Sequence, residues 1–167
     1  MNRVMVWREA YALMTDSSTS TDKPAERGSA DASKLALKLS VTLTADRNAI
    51  DPVVLSVMNV VRETKCASGR EDNIELALTE ALANAVVHGA QSDPSKIVEC
   101  DVVCDEDRGM LIVVRDPGPG FDPSKIADPC VGVNIYSSHG RGIFLINQLM
   151  DEVEFHKNGT EIRMIKR

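Results

Sequence analysis

The sequence is short of the features that mark membrane, secreted and nucleic-acid-binding proteins. Its 167 residues are 43% hydrophobic, yet no apolar run approaches the roughly 20 residues that a membrane span requires. The opening Val4, Met5, Val6 and Trp7 are interrupted at once by Arg8 and Glu9. No apolar h-region or small-residue cleavage site follows, which argues against secretion. Basic residues are not in excess: 19 Lys and Arg stand against 25 Asp and Glu, a formal net charge of −6. A generic reader of phosphate backbones depends on clustered cations and is disfavoured on that ground. Cysteine is scarce, with Cys66, Cys100, Cys104 and Cys130 only. No CxxC pair exists and no His stands at zinc-ligand spacing, so free thiols in a reducing cytoplasm are expected over disulfides or a zinc site. No internal repeat is visible.

What is present fits one domain with one site. Residues 1–34 are expected to be a disordered leader, because Thr15 to Ser33 is almost all Ser, Thr, Asp, Ala and Lys and has little to bury. Residues 35–167 then form the domain. Leu35, Leu37, Leu39, Val41 and Leu43 alternate as in a strand with one buried face. Asp51-Pro52 predicts a helix start, with Asp51 as N-cap, and Val53, Val54, Val57, Met58 and Val61 recur at helical spacing up to Ala67-Ser68-Gly69. A second helix is predicted over 72–88, with Ile74, Leu78, Leu82, Ala85 and Val86 inward and Gly89 as its stop.

Two hairpins and a third helix complete the pattern. Ile97 to Cys104 and Met110 to Val114 flank a turn at 106–109, and Val153 to His156 and Thr160 to Ile165 flank Asn158-Gly159. Between the hairpins lie Asp116-Pro117-Gly118-Pro119-Gly120-Phe121, a loop expected to be mobile through His139, and a helix opening at Gly140 to Gly142. The order β, α, α, β, β, loop, α, β, β predicts an α/β two-layer sandwich. Its sheet is mixed and mostly antiparallel, with the helices on one face.

Three segments combine chemistry with position. Glu80, Asn84 and His88 recur at i, i+4, i+8 and would line one stripe of the second helix. Such stripes are usually solvated faces. A carboxylate, an amide oxygen and an imidazole are, however, groups that orient a nucleophile, bind a hard metal and meet a phosphate. Asp116, Gly118 and Gly120 follow a strand: as a bare turn the glycines would serve positive φ. As a site they let the backbone approach a flat ligand while the Asp116 carboxylate accepts a hydrogen bond from an amino group. Adenine carries one at its six position, where guanine carries a carbonyl. Gly140-Arg141-Gly142 at a helix start supplies free N–H donors, a favourable dipole and a cation for polyphosphate. In a chain this acidic, nucleotide charge must be met by a metal, helix N-termini and backbone N–H groups.

Taken in order, the Glu-x-x-x-Asn helix, the Asp-x-Gly-x-Gly turn and the Gly-x-Gly helix start resemble the three ATP-binding boxes of the GHKL (histidine-kinase-like) superfamily. The words Thr79-Glu80-Ala81, Asn84-Ala85, His88-Gly89, Gly118-Pro119-Gly120-Phe121-Asp122 and Met150-Asp151-Glu152-Val153 are most similar to its small anti-sigma-factor serine kinases. The resemblance runs from about Leu35 to Arg167. It implies ATP and Mg²⁺ as cofactors, Asn84 as the metal ligand, Glu80 as general base, and Asp116 on the adenine amino group with Gly118 and Gly120 lining the base pocket. It further implies His88, Gly140, Arg141 and Gly142 toward the phosphates under a lid at about 126–139, and Thr160 as support for Asp116. The implied partners are a STAS-domain antagonist as substrate, a sigma factor and a second copy in a homodimer, with no direct nucleic acid and no membrane. Two departures are visible. Ser137, Ser138 and His139 stand where active relatives often carry an Arg, although Arg141 offers a substitute, and Val87 stands where histidine kinases commonly have Lys. The second departure, and the want of a phospho-accepting histidine helix upstream, point away from a sensor kinase. A protein kinase and an ATP-dependent binding module that only holds a partner both remain open at this point.

Overall fold

In the computed structural model the chain divides into two units, Met1–Ala32 and Ser33–Arg167. Residues 35–64, 66, 68–105, 108–122 and 138–167 are described. The expected leader, and all of the expected loop at 126–139 except its last two residues, lie outside them. Ser138 and His139 belong to a helix, which starts two residues before Gly140.

The elements follow the expected order. They are β1 (Leu35–Thr44), α1 (Ile50–Arg62), α2 (Glu71–Asn84), β2 (Ile97–Asp105), β3 (Gly109–Arg115), α3 (Ser138–Leu149), β4 (Glu152–His156) and β5 (Glu161–Lys166). The strands form one sheet in the order β1-β2-β3-β5-β4, and every pair is antiparallel. Among the described residues the sheet therefore contains no parallel pair.

Register explains which side chains of the sheet face the helices. Val41 pairs with Cys100, Cys100 with Val114, and Val114 with Ile162. One strand step of two residues away, Leu39, Val102, Ile112 and Met164 make a second row. Side chains two apart share a face, so both rows face the helices and join one core with Val57, Met58, Ile74, Leu78, Leu82 and Ile146. Met58, Ile74, Leu78, Ile112 and Met164 are completely buried, each worth roughly 1.5–3 kcal/mol of apolar transfer. The result is a two-layer α/β sandwich.

Three local readings are corrected. The cap before α1 is Asp46: its carboxylate accepts from the Asn48 N–H at 2.9 Å and starts a short 3-10 turn, Arg47–Ala49, that runs into α1. Asp51 lies inside the helix, where its charge suits the first turn. The second helix does not stay α-helical to its stop. It ends at Asn84 and passes into a π-helical turn, Ala85–Gly89, closed by the Ala90 N–H on the Ala85 carbonyl at 2.7 Å. A π turn takes in an extra residue, so His88 departs from the α-helical stripe of Glu80 and Asn84.

The third correction concerns the thiols. Cys66, just beyond α1, and Cys104, in β2, form a disulfide with Cα atoms 6.0 Å apart. Their pairing is made by tertiary structure across a sequence separation of 38, which local spacing does not reveal. Cys100 keeps its thiol and is buried. Burial, with the neighbouring Asp101 charge second, pushes that thiol up to about 12, so it is protonated and inert at neutral pH. No helix among the described residues is long and apolar enough to cross a membrane.

Candidate functional site

The end of α2, the loop after β3 and the start of α3 converge. Gly142, in the first turns of α3, is buried, and a Cβ placed on it would lie 2.8 Å from the Glu80 Oε2 and 3.2 and 3.4 Å from the Asn84 Nδ2 and Oδ1. A side chain at that position would have to displace the ends of Glu80 and Asn84. The Gly-x-Gly segment and the Glu-x-x-x-Asn stripe, separate in sequence, thus form one corner. Glu80 and Asn84 are both partly exposed there, Gly142 is buried and the adjacent Arg141 is exposed. Gly140 lies in the first turn of α3.

The second half of the site is built on the ends of β3 and β5. Asp116 follows β3 directly, and its N–H donates to the Thr160 carbonyl at 3.0 Å. Its carboxylate accepts from the Gly118 N–H at 2.9 Å. Burial pushes the Asp116 carboxyl above the usual carboxylate range, and the Gly118 hydrogen bond opposes this only in part. Thr160 supports Asp116 through its carbonyl, while its hydroxyl donates to the Lys157 carbonyl at 2.9 Å.

Gly120 has a φ of +75° and its Cα faces the Asn158 carbonyl, where a Cβ would stand 2.1 Å from the oxygen. It is the one glycine of the turn whose backbone itself demands glycine. Beside it the Phe121 N–H donates to the Asn158 carbonyl at 2.8 Å, and the Phe121 ring meets Phe155 edge-on with centroids 5.4 Å apart. The Asn-Gly turn of the last hairpin therefore holds the beginning of the loop. His88 sits on the π turn and is exposed.

Two contributors were not singled out from sequence. One is Gly89, which the sequence offers as a helix stop and within the His88-Gly89 pair but with no role of its own in the site. The other is a charged clamp on the sheet face away from the helices. Glu161 is completely buried. Its Oε2 accepts from the Arg115 Nε at 2.8 Å and lies 2.9 Å from the Lys157 Nζ, and its Oε1 accepts from the Arg163 Nε at 2.8 Å. Arg115 also pairs with Asp101. Arg115 and Glu161 are register partners immediately before Asp116 and after Thr160, so the clamp pins the strand ends that carry the turn. The alternation of charged with apolar residues at the ends of β3 and β5 is the signal that could have found it. Glu161→Gln should lower stability by about 1–2 kcal/mol, because the charge is lost while an amide oxygen still accepts and the cations keep some solvent. Urea denaturation measures this, and an unchanged midpoint would remove the clamp as a stabilising element.

A model of the histidine kinase-like ATPase domain matches residues 43–166, the span that carries every element of this corner. The chain belongs to that family. Among its relatives, a protein named serine-protein kinase RsbW from Bacillus cereus is 28% identical over 139 residues, covering 77% of this chain and 84% of its own. An anti-sigma F factor from Clostridium acetobutylicum is 29% identical over 106 residues, covering 58% of this chain and 69% of its own. A serine-protein kinase RsbW from Bacillus licheniformis is 32% identical over 105 residues, or 57% and 63% of the two chains. Within the histidine kinase-like ATPase family, then, this chain is similar to small anti-sigma proteins, and ATP is the ligand the family implies for the corner.

Proposed function

We propose that this chain is a serine/threonine protein kinase of the anti-sigma type, which transfers the γ-phosphoryl group of ATP to a STAS-type antagonist and holds a sigma factor when the antagonist is unavailable. The observation that carries the reading is the convergence of Gly142 on Glu80 and Asn84, which sets a carboxylate beside the helix N-terminus that suits the phosphates. Relatives named serine-protein kinase and anti-sigma factor support the choice of substrate and partner. A homodimer, and a cytoplasmic location as the compartment of sigma factors, follow from the same reading. The disulfide between Cys66 and Cys104 takes away the argument from free thiols for that compartment.

Mg²⁺ fits the donor set. Asn84 and Glu80 offer hard oxygen atoms at the corner that Gly142 closes, and Mg²⁺ takes one or two such protein ligands and completes its shell with phosphates and water. Asn84 would hold the ion, which neutralises charge on the phosphates.

The protein's own residues would do the rest. Asp116 accepts a hydrogen bond from the adenine amino group, and Gly118 and Gly120 let the base lie flat against the backbone. Gly140, Arg141 and Gly142 receive the phosphates at the N-terminus of α3, with His88 contributing from the π turn and Thr160 supporting Asp116 through the backbone. Glu80 takes the proton of the substrate hydroxyl as its oxygen bonds to the γ-phosphorus and the bond to ADP breaks. An Asn84→Ala variant should lose both Mg·ATP binding and transfer. Incubation of the purified chain with Mg·ATP and co-purifying STAS protein tests the reading directly: no phosphorylation by a nucleotide-bound wild type would favour a module that only holds its partner.

The raised carboxyl of Asp116 gives this reading a pH signature. Only the ionised group accepts a hydrogen bond without also presenting a proton of its own to the amino group. ATP affinity should therefore fall as pH drops through the raised Asp116 value, starting above the ordinary carboxylate range. Titration calorimetry on wild type and Asp116→Asn separates this from protonation of the nucleotide, since the variant should lack the component; identical pH profiles would remove the assignment.

A further inference from the structure

We infer that Gly89 is a positioning residue for base selectivity, its missing side chain providing the space in which the Asp116 carboxylate stands. A Cβ placed on Gly89 would lie 2.2 Å from the Asp116 Cγ, 2.3 Å from its Oδ1 and 2.6 Å from its Cβ. These are far below any real contact of that kind. The backbone itself has no need of glycine here: among the described residues the glycines with positive φ are Gly69, Gly109, Gly120 and Gly159, and Gly89 is not one of them. Backbone conformation therefore does not exclude an alanine, and the three nearest atoms it would meet all belong to Asp116.

The approach is tight from the other side as well. A Cβ on Gly118 would lie 2.2 Å from the Gly89 carbonyl oxygen and 2.7 Å from the Asp116 Oδ1. That same Oδ1 accepts from the Gly118 N–H, the only hydrogen bond of this carboxylate among the described residues. Asp116 is thus seated between two glycines, one on its own loop and one at the end of the helix that carries Glu80 and Asn84. The extra residue of the π turn, closed by the Ala90 N–H on the Ala85 carbonyl, brings the second glycine under the carboxylate. Through Gly89 the helix that faces the phosphate end of the nucleotide also sets where the base is read.

The inference rests on the reading of Asp116 as the acceptor for the adenine amino group, and the test separates the two. Gly89→Ala, Asp116→Asn and wild type are titrated with Mg·ATP and with the Mg²⁺ complex of purine riboside triphosphate, which has hydrogen in place of the six-amino group. Gly89→Ala should lose about 10-fold or more in ATP affinity, the cost of a hydrogen bond to a charged group, while its affinity for the purine analogue stays within about 2-fold of wild type. An equal loss for both nucleotides would make Gly89 a general structural residue and overturn the inference, as would wild-type binding of ATP. If Asp116→Asn binds ATP as wild type does, the reading of Asp116 itself falls. Should Gly89→Ala fail to fold, the double variant Gly89→Ala, Asp116→Gly removes the three nearest atoms that the new Cβ meets. Recovery of a cooperative thermal transition in it supports the placement, and no recovery overturns it.

Discussion

Glu80→Gln should retain Mg·ATP affinity within a few-fold of wild type while losing about 10²–10⁴-fold in the rate of phosphorylation of the protein substrate, the range that removal of a general base covers. Glutamine preserves length and hydrogen-bonding shape, which matters because a Cβ on Gly142 would already stand 2.8 Å from the Glu80 Oε2. A bulkier replacement would crowd the Gly142 corner and confound binding with chemistry. The amide cannot take a proton at neutral pH, so the loss falls on the step in which the hydroxyl oxygen attacks phosphorus. Asn84 lies one α-helical turn further along α2, and its truncation should abolish binding as well. The contrast between the two variants carries the assignment. Single-turnover assays at saturating ATP read the chemical step without product release, and a wild-type rate for Glu80→Gln would remove it as the base. An equal loss of binding in both variants would make Glu80 part of the nucleotide cradle and no base.

How much of this was legible in the sequence depended on whether the signal was local. The strands were readable because Leu39, Val41 and Leu43, and later Cys100, Val102 and Cys104, alternate with outward residues, and the core confirms those faces. The last hairpin was readable because Asn158 and Gly159 both take positive φ, which their side chains permit. The start of α1 was misjudged by one short turn, since Asp46 and Asp51 are equally good capping residues and only the fold of the 3-10 turn chooses between them. The π turn was hidden for a different reason. Ala85 and Val86 are buried and satisfy an α-helical pattern, so apolar spacing does not register the extra residue. Contacts between distant segments left no local mark: Cys66 on Cys104, Gly142 on Glu80, and Gly89 on Asp116 are made by the packing of whole elements. For Gly142 a motif stood in for the missing geometry. For Gly89 the His88-Gly89 pair carried the likeness but no role, because a glycine after a helix already has an ordinary explanation as its stop.

Asp116→Asn should weaken ATP binding by about 10-fold or more, since a hydrogen bond to a charged acceptor is worth roughly 1.5–3 kcal/mol, and yet leave the nucleotide-free protein at least as stable as wild type at neutral pH. The second half follows from the direction of the Asp116 shift. Burial raises its carboxyl above the ordinary carboxylate range, so the folded state prefers the protonated form. The stabilising effect of that preference is present at low pH and is lost as pH rises through the raised value. At neutral pH the folded protein therefore carries an ionised carboxylate that it would rather hold protonated. A purely structural residue shows the opposite sign, with its removal destabilising the fold. Asparagine relieves the charge, fills the same space beside Gly89 and can keep an amide oxygen on the Gly118 N–H. What it loses is the anionic acceptor for the adenine amino group, and its own NH₂ turned toward that group would repel it. Thermal denaturation without nucleotide, paired with ATP titration on the same samples, reads both signs at once. A variant with lowered melting temperature and unchanged ATP affinity would assign Asp116 to the architecture of the β3 end and leave adenine recognition to other residues.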